Sequence, residues 1–475
     1  MGGEVSGVGE AAGEPTLKRA LGPVALTLIG VSSVVGAGIF VLSGVTAAQN
    51  TGPAITLSYV IAALGVLIVA LCYSELAAMM PVAGSSYTYV RESLGLFPAW
   101  LIGWAMLLEY LVTASTVAVG WSGYLVGMLG HMGIVLPESF TQVPVTMSED
   151  MVFTVTGSYG NLPAVLATLT LTALLAVGVK ETARFNAFLV FCKVSVIIMV
   201  VAVGVFYIDP TLWEPFVPEN NGQWGHFGWS GVARGAGLAV WTYTGFETIS
   251  TCAQETKNPK RDLAIAMVAT MVICTTLYLA VSLVMTGLVS YKELDVSDPI
   301  LVALSKIGDQ WSWLLTVVSI GTLIGISGTL LFTLYPQIRV FYIMAVDKQM
   351  PKSFAKVHPR FRTPIVATWF TGIVCSIVAF LVPLDVLSEL VSMGTMLAFG
   401  SVCASVIIFR VQQPNRERPF RVPFSPYLPA LGVLFCFGLM LNMARRSWIQ
   451  LVAWMIIGAV IYLINRRKLG AKVTQ

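Results

Sequence analysis

An apolar run from Pro23 to Ala48 is long enough to cross a bilayer, yet its centre reads Ser32-Ser33-Val34-Val35-Gly36-Ala37-Gly38-Ile39-Phe40. Paired serines and glycines are poor material for a continuous helix. In hydrocarbon every backbone N–H and C=O needs a partner, so a break at mid-depth persists only where protein or a wet cavity satisfies it. The rest of the chain has to fold around that break, and the break predicts a binding site.

The surrounding sequence sets the class. Of 475 residues, 56% are hydrophobic and only 11% charged, against about a quarter charged in soluble proteins. Apolar segments lie near 24–48, 54–80, 98–128, 161–179, 186–208, 231–253, 263–289, 313–345, 364–382, 386–410, 426–444 and 448–465, twelve in all. Each is near or above the ~20 residues of a spanning helix. An all-α polytopic membrane protein is expected, embedded in a lipid bilayer. With the N-terminus placed in the cytoplasm, 22 of the 28 lysines and arginines fall inside, four outside and two within spans, as the positive-inside rule requires. The net charge of +4 is therefore a topology signal, and no nucleic-acid partner is expected. The seven cysteines all fall within spans and read as small apolar packing residues; no metal site, cofactor or enzymatic motif is expected.

A second irregular centre, Trp241-Thr242-Tyr243-Thr244-Gly245-Phe246-Glu247, interrupts the sixth span, five spans after the first. Matched breaks in two five-helix halves point to an inverted-repeat transporter. Peptide dipoles supply the chemistry. The break at Ser33–Gly38 frees N–H groups at the start of a half-helix, which attract a carboxylate. The break at Trp241–Thr244 frees carbonyls at the end of another, which attract an ammonium. Together they suit a zwitterion, hence an α-amino acid. Gly36 and Gly38 either admit the ligand to the backbone or serve close helix packing.

Several charges fall inside spans. Lys193 lies ~10 Å deep by helical rise; it either snorkels or acts. Glu109, ~15 Å deep, is either a protonated structural carboxyl or a titrating group. Glu247 closes the sixth-span break, as a brace, a proton relay or a counter-charge for a cationic side chain. Arg234, near the outer end of its span, is expected to snorkel.

Four stretches carry a family likeness. Gly30–Gly44, Tyr73-Ser74-Glu75-Leu76 with Pro81–Tyr87, Gly245-Phe246-Glu247 with Glu255–Arg261, and Gln337–Tyr342 through Pro351 with Arg362-Thr363-Pro364 together resemble the amino acid–polyamine–organocation superfamily, nearest its cationic amino acid transporter subfamily and bacterial relatives. The resemblance implies the leucine-transporter fold: a five-plus-five inverted repeat plus two peripheral helices. On this sequence that gives a cytoplasmic tail 1–23, a first repeat 24–208, an extracellular loop 209–230, a second repeat 231–411, peripheral helices 426–465 and a cytoplasmic tail 466–475. It implies that Ser33, Gly36, Ala37 and Gly38 hold the substrate carboxylate. The carbonyls of Val240, Trp241 and Thr244 hold the amine, and Ile326 lines the side-chain pocket. Lys193 stands where sodium-driven relatives of the fold bind a cation, so protons rather than sodium are the implied partner, with Glu109 and Glu247 as candidate carriers. Trp241 also resembles an aromatic of arginine/agmatine exchangers that packs on a guanidinium, which implies a cationic preference, with small neutral amino acids as the other substrate class. The expected function is proton-coupled amino acid symport by alternating access in the plasma membrane. An exchanger or an amino-acid-binding sensor stands as the alternative, and a small single-span companion is left open.

Overall fold

A computed structural model describes residues 21–80, 85–147, 152–178, 183–346 and 349–473. The tail before Leu21, Pro81–Gly84 of the second motif, Lys180 and Lys348 lie outside them. The elements are α1 (Pro23–Val34), α2 (Ser43–Thr46), α3 (Ile55–Met79), α4 (Ser85–Leu94), α5 (Leu96–His131), β1 (Val145–Met147), β2 (Phe153–Val155), α6 (Leu162–Val177), α7 (Ala183–Gly204), α8 (Gly228–Thr242), α9 (Thr248–Thr251), α10 (Pro259–Leu288), α11 (Pro299–Ser305), α12 (Ser312–Val346), α13 (Ile365–Leu381), α14 (Leu384–Gln412), α15 (Tyr427–Met440) and α16 (Arg445–Val473). Among the described residues, seven helical stretches are long and apolar enough to cross a membrane, and four shorter apolar helices accompany them. Each apolar segment read from the sequence holds helix. The helices α4 and α11 and the β1–β2 hairpin, with Val145 paired to Val155, lie between the apolar segments.

Both expected breaks are present. The chain leaves α1 after Val34 and resumes as a π-helical turn at Gly38–Leu42. It leaves α8 after Thr242 and resumes at α9. The helices pair in a reciprocal pattern. α1 packs on α10 while α8 packs on α3; α7 packs on α12 while α14 packs on α5; α1 packs on α7 while α8 packs on α14. Just before α1, Leu21 forms a parallel bridge with the strand-like segment after α9. Its N–H donates to the Glu255 carbonyl at 3.0 Å, and its own carbonyl accepts from Lys257 at 2.9 Å.

Arg234 does not snorkel. It is 3% exposed and paired with Glu389 of α14, whose second oxygen accepts from Arg446 at 3.4 Å and from the Ser447 hydroxyl at 2.6 Å. The reason is packing: α8 is enclosed by α3, α14 and α15, so Arg234 has no lipid-facing route to water, and Glu389 supplies the counter-charge a buried guanidinium needs. A second buried node sits at the other end of α14. Glu75 of α3 accepts from Arg410 at 3.1 and 2.6 Å and from the Val422 N–H at 2.6 Å.

Candidate substrate site

The two breaks meet at one cavity. Its walls are Ser33, Val34, Gly36, Ala37 and Gly38 from the first break, Trp241, Thr242, Thr244, Gly245, Glu247 and Thr248 from the second, Tyr110, Thr113 and Val117 from α5, and Thr329, Phe332, Thr333 and Pro336 from α12. On α12 the wall residues recur at i, i+3, i+4 and i+7, one helical face. The cavity encloses about 40 Å³, room for roughly three waters on that measure. An amino acid therefore requires the walls to part.

The first break offers donors. Val35 N–H still reaches the Val31 carbonyl at 2.9 Å, and Ile39 and Phe40 N–H both reach the Gly36 carbonyl. The N–H groups of Gly36, Ala37 and Gly38 donate to no partner among the described residues. Three successive free N–H groups at a helix start form an anion nest.

The second break offers acceptors. The carbonyls of Val240 and Trp241 accept from Tyr243 at 3.2 Å and Thr244 at 2.8 Å, which leaves each a second lone pair. The Thr244 carbonyl accepts nothing among the described residues. Gly245 takes φ 119°, where a side chain is strained, and a Cβ there would lie 2.7 Å from the Ser33 carbonyl carbon. Only glycine lets the two breaks touch. The Ser33 hydroxyl meets that of Thr248 at 3.1 Å, and Glu247 accepts from the Gly245 N–H at 2.7 Å.

Lys193 is wholly buried. Its Nζ donates to the carbonyls of Ser32 at 2.8 Å and Val35 at 3.0 Å and to Thr329 Oγ1 at 2.8 Å. It therefore fastens the broken end of α1 to α12, as an ion bound there would. Tyr278 of α10 does a related task. Its single hydroxyl stands 3.0 Å from the Val34 carbonyl and 2.7 Å from the Thr242 carbonyl, the last residues of α1 and α8. Glu109 accepts from Thr395 at 2.8 Å and stands behind the wall rather than in it. Trp241 lies in the wall with its indole N–H on Thr113 Oγ1 at 3.1 Å.

Of the residues anticipated for the substrate, Ser33, Gly36, Ala37, Gly38, Trp241 and Thr244 line the cavity, and so does Glu247. Val240 and Ile326 do not; both are fully buried. Ile326 continues the α12 stripe one turn beyond Thr329. The missing Cβ atoms of Gly36 and Gly38 point at Thr329 and Thr242, so these glycines allow close packing, and both also line the cavity. Thr329, Tyr278 and Thr395 escaped the sequence reading. Thr329 had a signal, the small-residue run Gly325-Ile326-Ser327-Gly328 before it, which marks close helix approach. Tyr278 had a weaker one, a phenol inside a span that must find a partner.

Comparison with known proteins gives the family. A family model for amino acid permeases matches residues 21–463. The chain is 39% identical to the branched-chain amino acid permease BcaP of Bacillus subtilis, over 96% of this chain and 95% of that protein. It is 37% identical to the methylthioribose transporter of the same organism, over 95% and 94%. It is 32% identical to human cationic amino acid transporter 4, over 85% of this chain and 61% of that longer protein. These relatives are transporters and not enzymes. A multi-pass helical protein whose two broken helices close on one cavity thus belongs to the amino acid permease family.

Proposed function

We propose that this chain is a secondary active transporter that carries α-amino acids with protons, without sodium, by alternating access around the cavity between the two breaks. The observation that carries the reading is the Lys193 ammonium on the carbonyls of Ser32 and Val35 and on Thr329. A fixed positive charge at that joint leaves no use for a bound metal cation there. The three free N–H groups of Gly36–Gly38 take the substrate carboxylate, and the carbonyls of Trp241 and Thr244 take its ammonium. The small volume of the cavity fits a substrate that enters only as the walls move.

The reading extends to architecture. The reciprocal pairing of α1 with α10 and α8 with α3, repeated by α7–α12 and α14–α5, is what a pseudo-two-fold relation between residues 24–208 and 231–411 produces. It supports twelve spans in a five-plus-five repeat with two peripheral helices. Basic-residue bias supports cytoplasmic termini in a plasma membrane.

For the side chain, Glu247 and Trp241 in the wall favour a cationic substrate. Pro336 adds an acceptor, because it has no N–H to give the carbonyl of Phe332 one turn earlier. A second reading rests on the apolar part of the same wall, Val34, Val117, Phe332 and Pro336, which suits a branched aliphatic side chain, and the named substrate of BcaP leans the same way. Uptake of a labelled amino-acid panel into proteoliposomes, with imposed proton or sodium gradients, tests both levels. Accumulation driven by an inward proton gradient supports the reading; accumulation that follows sodium overturns it. Substrate-for-substrate exchange without net uptake moves the protein to the exchanger alternative, and binding without flux to the sensor.

A further inference from the structure

Thr395 of α14 stands between the buried carboxylate and the substrate site. Its Oγ1 lies 2.8 Å from Glu109 Oε1 on α5 and 3.3 Å from Thr244 Oγ1 at the second break. Thr395 is fully buried, and Thr244 lines the cavity. We propose that Thr395 is a positioning residue that reports the protonation state of Glu109 to Thr244, and through Thr244 to the bound amino acid. The inference rests on the proton-coupled reading above.

The argument is one of hydroxyl counting. A hydroxyl has one proton to give and two lone pairs. When Glu109 is ionised it can only accept, so Thr395 must spend its proton on Oε1. The Thr395 oxygen can then only accept from Thr244, whose proton turns away from the cavity. When Glu109 is protonated it can donate to Thr395 Oγ1. The Thr395 proton is then released to point at Thr244 Oγ1, and the Thr244 proton turns into the cavity. The proton that arrives stays on Glu109; no covalent bond beyond that O–H is made. What changes is whether Thr244 shows the cavity an acceptor or a donor. The titratable groups that face Glu109 are Glu247 from the second break, Tyr73 from α3 and Tyr110 from its own helix. Lys193 stands at the other break, on Ser32, Val35 and Thr329. The lines Glu109–Thr395–Thr244 and Glu247–Gly245 share no hydrogen-bonding atom, so a change at Thr395 leaves the Glu247 contact in place.

The test is the pH profile of the KM for the best substrate of the panel, in proteoliposomes with no gradient. In the native protein the KM should change severalfold between about pH 5 and pH 8. Thr395→Val keeps the shape and removes the hydroxyl; it should flatten that profile to under twofold, while Thr395→Ser should restore most of it. In a Glu109→Gln background, Thr395→Val should leave the profile unchanged, since the amide fixes the hydroxyl orientations already. Thr244→Val breaks the same line from its other end and serves if Thr395→Val does not fold. A flat native profile overturns the coupling reading and this inference together. A native profile that varies and persists in both Thr395→Val and Thr244→Val overturns this inference alone.

Discussion

Gly36 and Thr329 are packed so closely that a Cβ built on the glycine would lie 2.5 Å from the threonine methyl carbon and 2.8 Å from its hydroxyl oxygen. Thr329 is one of the three groups held by Lys193, so a side chain at Gly36 disturbs the lysine as well as the break. Gly36→Ala should lower transport at least tenfold through overpacking worth ~1–3 kcal/mol. Thr329→Ser removes the nearest carbon and keeps the oxygen, so it should recover part of the loss. Initial uptake rates of the single and double variants check this; a Gly36→Ala protein with native rates would show that the joint is loose.

Lys193→Ala takes the charged donor from the carbonyls of Ser32 and Val35 and from the Thr329 hydroxyl, leaving the Val35 carbonyl the longer 3.3 Å bond from Thr329. Each group left unsatisfied costs ~1–3 kcal/mol, so the broken end of α1 should lose its fixed geometry and transport should fall to near background. Insertion should survive, because α7 becomes more apolar. Fluorescence-detected size-exclusion chromatography beside an uptake assay separates the two outcomes. Native rates and pH dependence in this variant would remove the basis of the proton-coupled reading.

Tyr278→Phe removes one oxygen and releases the carbonyls of both Val34 and Thr242. Because those carbonyls end α1 and α8, the anion and cation sides of the site should slacken together. The expected result is a ~10-fold weaker affinity for the amino acid, the effect of about one lost hydrogen bond to a buried group, and a smaller loss for its methyl ester, which has no carboxylate for the first break. Equal losses for both ligands would mean that Tyr278 holds only the second break, and a loss confined to the amino acid that it holds only the first.

Arg234→Leu leaves Glu389 short of a partner in a closed interior, and breaking a buried ion pair from one side costs ~3–5 kcal/mol. Thermal unfolding in detergent should show a clear drop in Tm. Arg234→Leu with Glu389→Leu should be less damaging than Arg234→Leu alone, since the double variant strands no carboxylate. Additive losses would mean that Arg446 and Ser447 carry Glu389 without help from Arg234.

What the sequence made legible was local. Hydropathy marks helical segments because each must be long and apolar by itself. Gly36, Gly38 and Gly245 mark the breaks because irregular backbone needs small residues on the spot. Lys193 announces itself as a charge in an apolar run. Partners were not legible. Arg234 and Glu389 lie 155 residues apart, and nothing near either one names the other, so snorkelling was the natural expectation and was wrong. Motif position puts Ile326 on the α12 face that carries the wall, one turn beyond Thr329, because a stripe of period 3.6 fixes direction and not height. Thr395 sits on a helix with many hydroxyls, and only the approach of Glu109 from α5 singles it out.

The bridge at Leu21 gives the transport cycle a mechanical constraint. Two backbone hydrogen bonds join the entrance of α1 to the segment that leaves α9. The two half-helices on that side therefore share a yoke: neither can tilt without drawing the other along or tearing the bridge. Spin labels at Gly22 and Thr256 should keep a constant separation while both change distance from a label on α6. On the alternating-access reading proposed above, the pathway on that face would open as one paired shutter, its two leaves swinging in step.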